Sequence, residues 1–158
     1  PAFHDDRVLR LGAKFLGETP PRRALTTPDP LTRLAVCGAH LSGLPLNHQL
    51  TRLGARLVRS ARTAPIYKLY ALPGTTPPKP GLVRVGAGGG SVEVEVWELS
   101  VAALGLFVSA IPAPLGIGTL SLIDGESVQG FLCESAAVEN ARDITSLGGW
   151  RAFLKNKA

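Results

Sequence analysis

The sequence lacks most of the features that mark specialised classes of function. Aromatic residues make up only 6% of its 158 positions, which leaves few faces on which single-stranded bases could stack. The 17 Lys and Arg residues are scattered. No basic run, zinc-finger spacing or RNA-binding aromatic motif is present, so nucleic acid is not the expected partner. The net charge of +5 fits a small anionic ligand, or solubility, equally well. There are two cysteines, Cys37 and Cys133, each inside an apolar strand-like run. They read as small buried hydrophobes of a reducing compartment rather than as a disulfide or a metal pair. The longest apolar stretch, Leu99 to Ile111, is too short to span a bilayer and runs into Pro112 and Pro114. No signal-peptide pattern opens the chain. His4, His40 and His48 lack the paired cysteines or close carboxylates of a metal site. The expectation is a soluble cytoplasmic protein with no membrane segment, no metal and no cofactor.

What is present describes one globular domain. The hydrophobic share is 45% and the charged share 18%, an ordinary balance for a folded chain of this length. Gly 18 and Pro 13 are both high, pointing to many turns and short strands. Residues 1–30 differ from the rest: Val8, Leu9, Leu11, Phe15 and Leu16 give a weak helical pattern, and Thr19 to Arg23 and Thr27 to Pro30 then break it. They read as a helix and linker from a longer protein, with the domain proper at 31–158.

Within that domain, Leu34 to Cys37 is a near-continuous apolar run ended by Gly38, as in a strand buried on both faces. Pro45 can open a helix presenting Leu46, Leu50, Leu53 and Leu57, with Gly54 near its end. Strands are expected over 56–59, 66–72 and 81–85, and Gly86 to Ser91 reads as a hairpin connection. Val92 to Leu99 alternates, valines on one face and Glu93 and Glu95 on a solvated one. Ser100 can cap a short helix to Leu106, and Asp124-Gly125 joins two further strands in a hairpin. A final helix presents Trp150, Phe153 and Leu154 to the core. The architecture predicted is α+β: a small mixed, mostly antiparallel β-barrel, incompletely closed, with peripheral helices.

The segment richest in chemistry is Val36 to Asn47, where a buried strand gives way to a loop and then a helix. Such a junction offers free N–H groups for an anion, with a helix N-terminus behind them. His40 stands in that loop, and imidazole exchanges protons near neutrality. A structural histidine bonded to a loop carbonyl fits the same pattern. Glu134 ends an apolar strand, where it could face a cavity or cap the next turn, and of Tyr67 and Tyr70, on opposite faces, one at most can line a pocket. Gly86 to Gly90 lacks the Lys-Ser/Thr of a phosphate loop, and Ser42 lacks the glycine two residues before it that a nucleophile elbow needs.

The run Leu34-Ala35-Val36-Cys37-Gly38-Ala39-His40-Leu41-Ser42-Gly43-Leu44-Pro45-Leu46-Asn47 resembles the opening of the allophanate hydrolase C-terminal domain. Arg62 to Gly74, Lys79 to Leu82, Val94 to Leu99, Pro114 to Gly118 and Gln129 to Glu134 are similar in the same order, so the resemblance covers residues 31–154. It implies a fold like that of the γ-glutamyl cyclotransferases, in which the first strand-to-helix loop cradles the substrate. The cyclotransferases' acidic base has no counterpart, since Ser100 to Ile111 contains no Asp or Glu. The resemblance implies a role in urea degradation: assisting the decarboxylation of N-carboxyurea, a small anion, made by an amidase half of the same protein, with homo-oligomers of the full-length protein expected. His40 matches the histidine implicated in that step. The expected substrate-binding residues are Gly38, Ala39, Leu41, Ser42 and Asn47 in the loop, with Tyr67 and Glu134 from later strands. Two other roles compete: a non-catalytic domain that positions or assembles the amidase, and a small-anion binding module.

Overall fold

The computed structural model describes residues 29–157. The helix and linker expected over residues 1–28 lie outside the described residues. The first strand, β1 (Leu31–Val36), runs at the middle of a five-stranded sheet in the order β2-β5-β1-β7-β6. Its partners are β5 (Glu93–Ser100), antiparallel, and β7 (Ser127–Cys133), parallel. That central place explains the apolar run: Leu34, Ala35 and Val36 have no exposed surface. The outer strands are β2 (Arg56–Arg62), paired with β5, and β6 (Leu115–Ser121), which forms the expected hairpin with β7 around Asp124-Gly125.

The sheet curls until its two edges touch. Thr63 bridges Leu122, the Ala64 N–H donates to Ser121 O (2.8 Å) and the Ile123 N–H to Arg62 O (3.0 Å). Arg59 of β2 also holds Asp124 and Glu126 of the hairpin, each at 2.7 Å. A smaller sheet, β4-β3-β8, packs alongside, made of β3 (Tyr67–Ala71), β4 (Pro80–Arg84) and β8 (Arg142–Asp143). The edges meet at one end only, so the curled sheet and its neighbour form the mixed, mostly antiparallel architecture expected.

Among the described residues three α-helices lie at the periphery: α1 (Asn47–Thr51), α2 (Val101–Ser109) and α3 (Trp150–Lys157). The Ser100 hydroxyl caps α2 by accepting from the Ala103 N–H at 3.1 Å. Among the described residues, no helix is long and apolar enough to cross a membrane.

Three local expectations need correcting. The helix after Pro45 is short, only five residues, and Leu57 lies beyond it in β2, exposed. The glycines at 86–90 do not make a hairpin, because β4 and β5 belong to different sheets and the segment crosses between them. Gly89 is there for close approach: a Cβ on it would sit 2.8 Å from the backbone of both Ile66 and Tyr67. Finally, Glu95 does not face solvent. It is 4% exposed, because α3 covers that face of β5.

Candidate functional site

Where β1 ends, the chain turns within three residues. The Leu41 N–H donates to Gly38 O (2.9 Å), the Leu46 N–H to Ala39 O (2.9 Å), and Asn47 Nδ2 to His40 O (2.9 Å). These bonds account for the carbonyls of 38–40. Among the described residues the N–H groups of Ala39 and His40 have no acceptor. Gly38 makes the turn possible by contact: a Cβ there would lie 2.5 Å from Cδ of Pro80, the first residue of β4. Gly38→Ala is expected to push the loop off the Pro80 ring and to lower stability by about 1–3 kcal/mol, the usual cost of overpacking a tight site. Denaturant unfolding checks this; an unchanged midpoint would show that the loop yields freely.

This loop lines a cavity of about 270 Å³, with Gly38, Ala39 and His40 on one side, Lys79 on another and Phe107 and Phe131 as apolar walls. Its size suits a ligand of few atoms. The lining contains no carboxylate, and among the described residues Lys79 forms no ion pair. A lone ammonium beside open amides makes the cavity attractive to anions.

The His40 ring stacks on Phe131 (centroids 5.2 Å apart, planes at 16°) and meets Phe107 edge-on at 5.1 Å. Its Nε2 lies 2.9 Å from Oε1 of Gln49, on α1. An amide oxygen accepts, so Nε2 carries the proton and donates, while Nδ1 keeps its lone pair and has no partner among the described residues. Burial holds the ring's pKa below the usual histidine range. The Gln49 bond opposes that shift, and Lys79 and His48 add to it. Burial thus favours the neutral form of the ring, whose Nδ1 has no partner among the described residues. Cys37 also borders the cavity, but burial pushes its thiol up to about 12, which removes it as a nucleophile.

The residues expected at the site divide into two groups. Gly38, Ala39 and His40 line the cavity together. Leu41, Ser42 and Asn47 stand behind it, where they shape the loop: Leu41 is fully buried and its N–H is used in the turn. Tyr67 is a correction, since it is completely buried, and its hydroxyl accepts from the Ser121 N–H (2.9 Å) and from Arg84 (2.8 Å), joining the two sheets. Glu134 is another: it is exposed past the end of β7, outside the cavity, and its side chain makes no capping bond to the turn that follows. The helix-dipole contribution also falls away, because α1 starts only at Asn47 and is a turn and a half long.

Two groups of functional residues escaped the sequence reading. Lys79 and Gln49 complete the cavity's polar side, and only the family-like Lys79 to Leu82 segment pointed toward the first. The second group lies behind the loop. Glu95 Oε2 accepts from the Ser42 N–H (2.8 Å), the Ser42 hydroxyl (2.9 Å) and Trp97 Nε1 (3.2 Å). Arg151 of α3 donates to Glu95 Oε1 (2.7 Å), Glu93 Oε1 (2.9 Å) and Ser42 O (2.9 Å). The cradle loop is therefore tied to β5 and to α3.

Residues 32–155 match the family model described as allophanate hydrolase C-terminal domain. The chain belongs to this family. It is 44% identical over 132 residues to a urea amidolyase of Lachancea kluyveri, covering 81% of this chain and 7% of that protein. An allophanate hydrolase structure from Kluyveromyces lactis superposes with a TM-score of 0.77 at 41% identity, over 80% of this chain and 21% of that one. The chain thus corresponds to a small part of these relatives. A γ-glutamyl cyclotransferase, at 12% identity and a TM-score of 0.52, shares the fold alone.

Proposed function

We propose that this allophanate hydrolase C-terminal domain assists a decarboxylation in urea breakdown, with His40 handling the proton. The observation that carries the proposal is an imidazole with one nitrogen unpartnered among the described residues, in a cavity lined by the Lys79 side chain and by the open Ala39 and His40 amides.

Atom balance corrects the substrate. N-carboxyurea is allophanate itself, and is what the amidase half consumes. Hydrolysis of its amide end takes up water, releases ammonia and leaves N-carboxycarbamate, a nitrogen bearing two carboxylates. Loss of carbon dioxide then breaks one C–N bond and leaves the electron pair on nitrogen. That nitrogen must gain a proton to become carbamate. In the proposed complex Lys79 and the Ala39 and His40 N–H groups hold the carboxylates. The dianion raises the affinity of Nδ1 for a proton, which passes to the nitrogen as the bond breaks. The amidase half of the same protein is the proposed partner, and the cytoplasm the proposed compartment.

The test uses His40→Ala in the full-length enzyme, with carbon dioxide and ammonia release followed in a single turnover. Ammonia release is expected to keep its rate while carbon dioxide release slows by roughly tenfold or more, below the usual acid–base contribution of about 100- to 10,000-fold because such carbamates also decompose unaided in water. Equal carbon dioxide rates would sink the proposal and leave the scaffold reading, which the packing of His40 between two phenylalanines also suits. In that case the assembly state with and without this domain becomes the measurement of interest.

A further inference from the structure

Two kinds of contact hold the His40 ring, and they fix different things. Stacking on Phe131 (planes at 16°) and the edge of Phe107 set the plane in which the ring lies. Apolar contacts are indifferent to a half-turn of the ring about its bond to Cβ, and to which nitrogen carries the proton. Among the described residues only Gln49 tells the nitrogens apart, through the 2.9 Å contact between its Oε1 and Nε2.

Gln49 is itself held where the ring needs it. It belongs to α1, whose Leu50 is fully buried and whose first residue, Asn47, donates from Nδ2 to His40 O at 2.9 Å. The helix thus grips His40 twice, once by its backbone carbonyl and once by its ring. A change of side chain at 49 leaves the first grip in place, because Gln49 is exposed and its side chain makes no other hydrogen bond among the described residues.

An amide suits this post. Its oxygen accepts the Nε2 proton but is too weak a base to remove it, so proton exchange is confined to Nδ1. A carboxylate in the same place would also accept, but its charge would favour the imidazolium. The titratable groups around the ring are Lys79, His48 and the Cys37 thiol. The elements that supply the two phenylalanines, α2 and β7, carry no charged residue.

We infer that Gln49 is a positioning residue: its amide oxygen fixes both the Nε2–H tautomer and the rotation of the His40 ring, so that a bare Nδ1 is held ready for the substrate's proton. The purpose of this arrangement rests on the decarboxylation reading; the tautomer itself does not.

The test has two arms. Nitrogen NMR follows the His40 ring across pH in the 158-residue chain, and a single turnover of the full-length enzyme gives carbon dioxide release relative to ammonia release. In the parent chain the neutral ring is expected to carry its proton on Nε2. Gln49→Leu is expected to give a mixture of tautomers and a lower titration midpoint, since the Gln49 bond favours the charged ring. Two rotations and two tautomers make four states, of which one keeps a bare Nδ1 in place, so carbon dioxide release is expected to slow about fourfold. Gln49→Glu is expected to keep the proton on Nε2 and to raise the midpoint by about one unit or more, carrying the pH profile of carbon dioxide release upward with it. A loss of folding would not move that profile. A parent ring protonated on Nδ1, or the parent tautomer persisting in Gln49→Leu, would overturn the inference. So would a changed tautomer with unchanged carbon dioxide release where His40→Ala slows it, since the ring would then need no positioning. If His40→Ala also leaves release unchanged, the decarboxylation reading falls, whereas the tautomer assigned to Gln49 stands or falls by the spectrum alone.

Discussion

Glu95→Ala is expected to lower the free energy of unfolding by about 3 kcal/mol, near the low end of what removing one partner of a buried ion pair costs. The side chain accepts from Ser42 twice and from Trp97 once, and its other oxygen meets Arg151. Alanine leaves all of these donors without their acceptor. Arg151 limits the loss, because it is about a third exposed and keeps Glu93. Glu95→Gln keeps the shape and one acceptor oxygen, so roughly half that loss is expected, the rest being the charge. Urea unfolding with an unchanged m-value measures both; two variants within 0.5 kcal/mol of the parent would show that the network is ornamental. The acid dependence has a definite sign. Burial pushes the Glu95 carboxyl up, but the Ser42 N–H, the Arg151 guanidinium and the Ser42 hydroxyl outweigh it and hold the group below the usual glutamate range. Its contribution is therefore complete above that range and fades as the pH falls through the lower folded value, a dependence that both variants should lose.

The features legible from sequence were those whose cause is local. The apolar run of β1, the Ser100 cap of α2 and the Asp124-Gly125 hairpin each depend on residues within a few positions of one another, and each formed. The loop holding His40 was legible for the same reason: a buried strand ending at glycine has to turn there. What surrounds the ring was not. Gln49, Lys79, Phe107 and Phe131 come from four separate segments, and none of them stands in a pattern that marks a cavity. Phe107 lies in a helix of apolar residues throughout, so periodicity could not say which way it faces.

Tyr67 and Glu95 show the same limit from opposite sides. Strand alternation states which residues share a face, never what covers that face. Tyr67, a pocket candidate by alternation, belongs to the smaller sheet and is buried where its hydroxyl meets β6 of the larger one. Glu95 was assigned to solvent and is covered by a helix 56 residues further along the chain.

That covering helix gives the other large effect. Trp150→Ala is expected to cost about 4 kcal/mol, within the range for truncating a buried aromatic residue. Trp150 is 2% exposed and stacks on Phe153 at 4.9 Å, and these two side chains are the buried anchors of α3, whose Lys155 and Asn156 face water. Without the indole the helix has too little apolar area to stay docked, and Arg151 leaves Glu95 with it. The two sites should therefore not be independent. In the double variant Glu95→Ala with Trp150→Ala, the loss is expected to fall short of the two single losses together by 0.5 kcal/mol or more, because the Glu95–Arg151 bond can be removed only once. Strict additivity would mean that α3 holds its place without Arg151, and that the cradle loop depends on Glu95 alone. A shortfall would instead make the indole a support of the His40 loop, acting through Arg151 and Ser42.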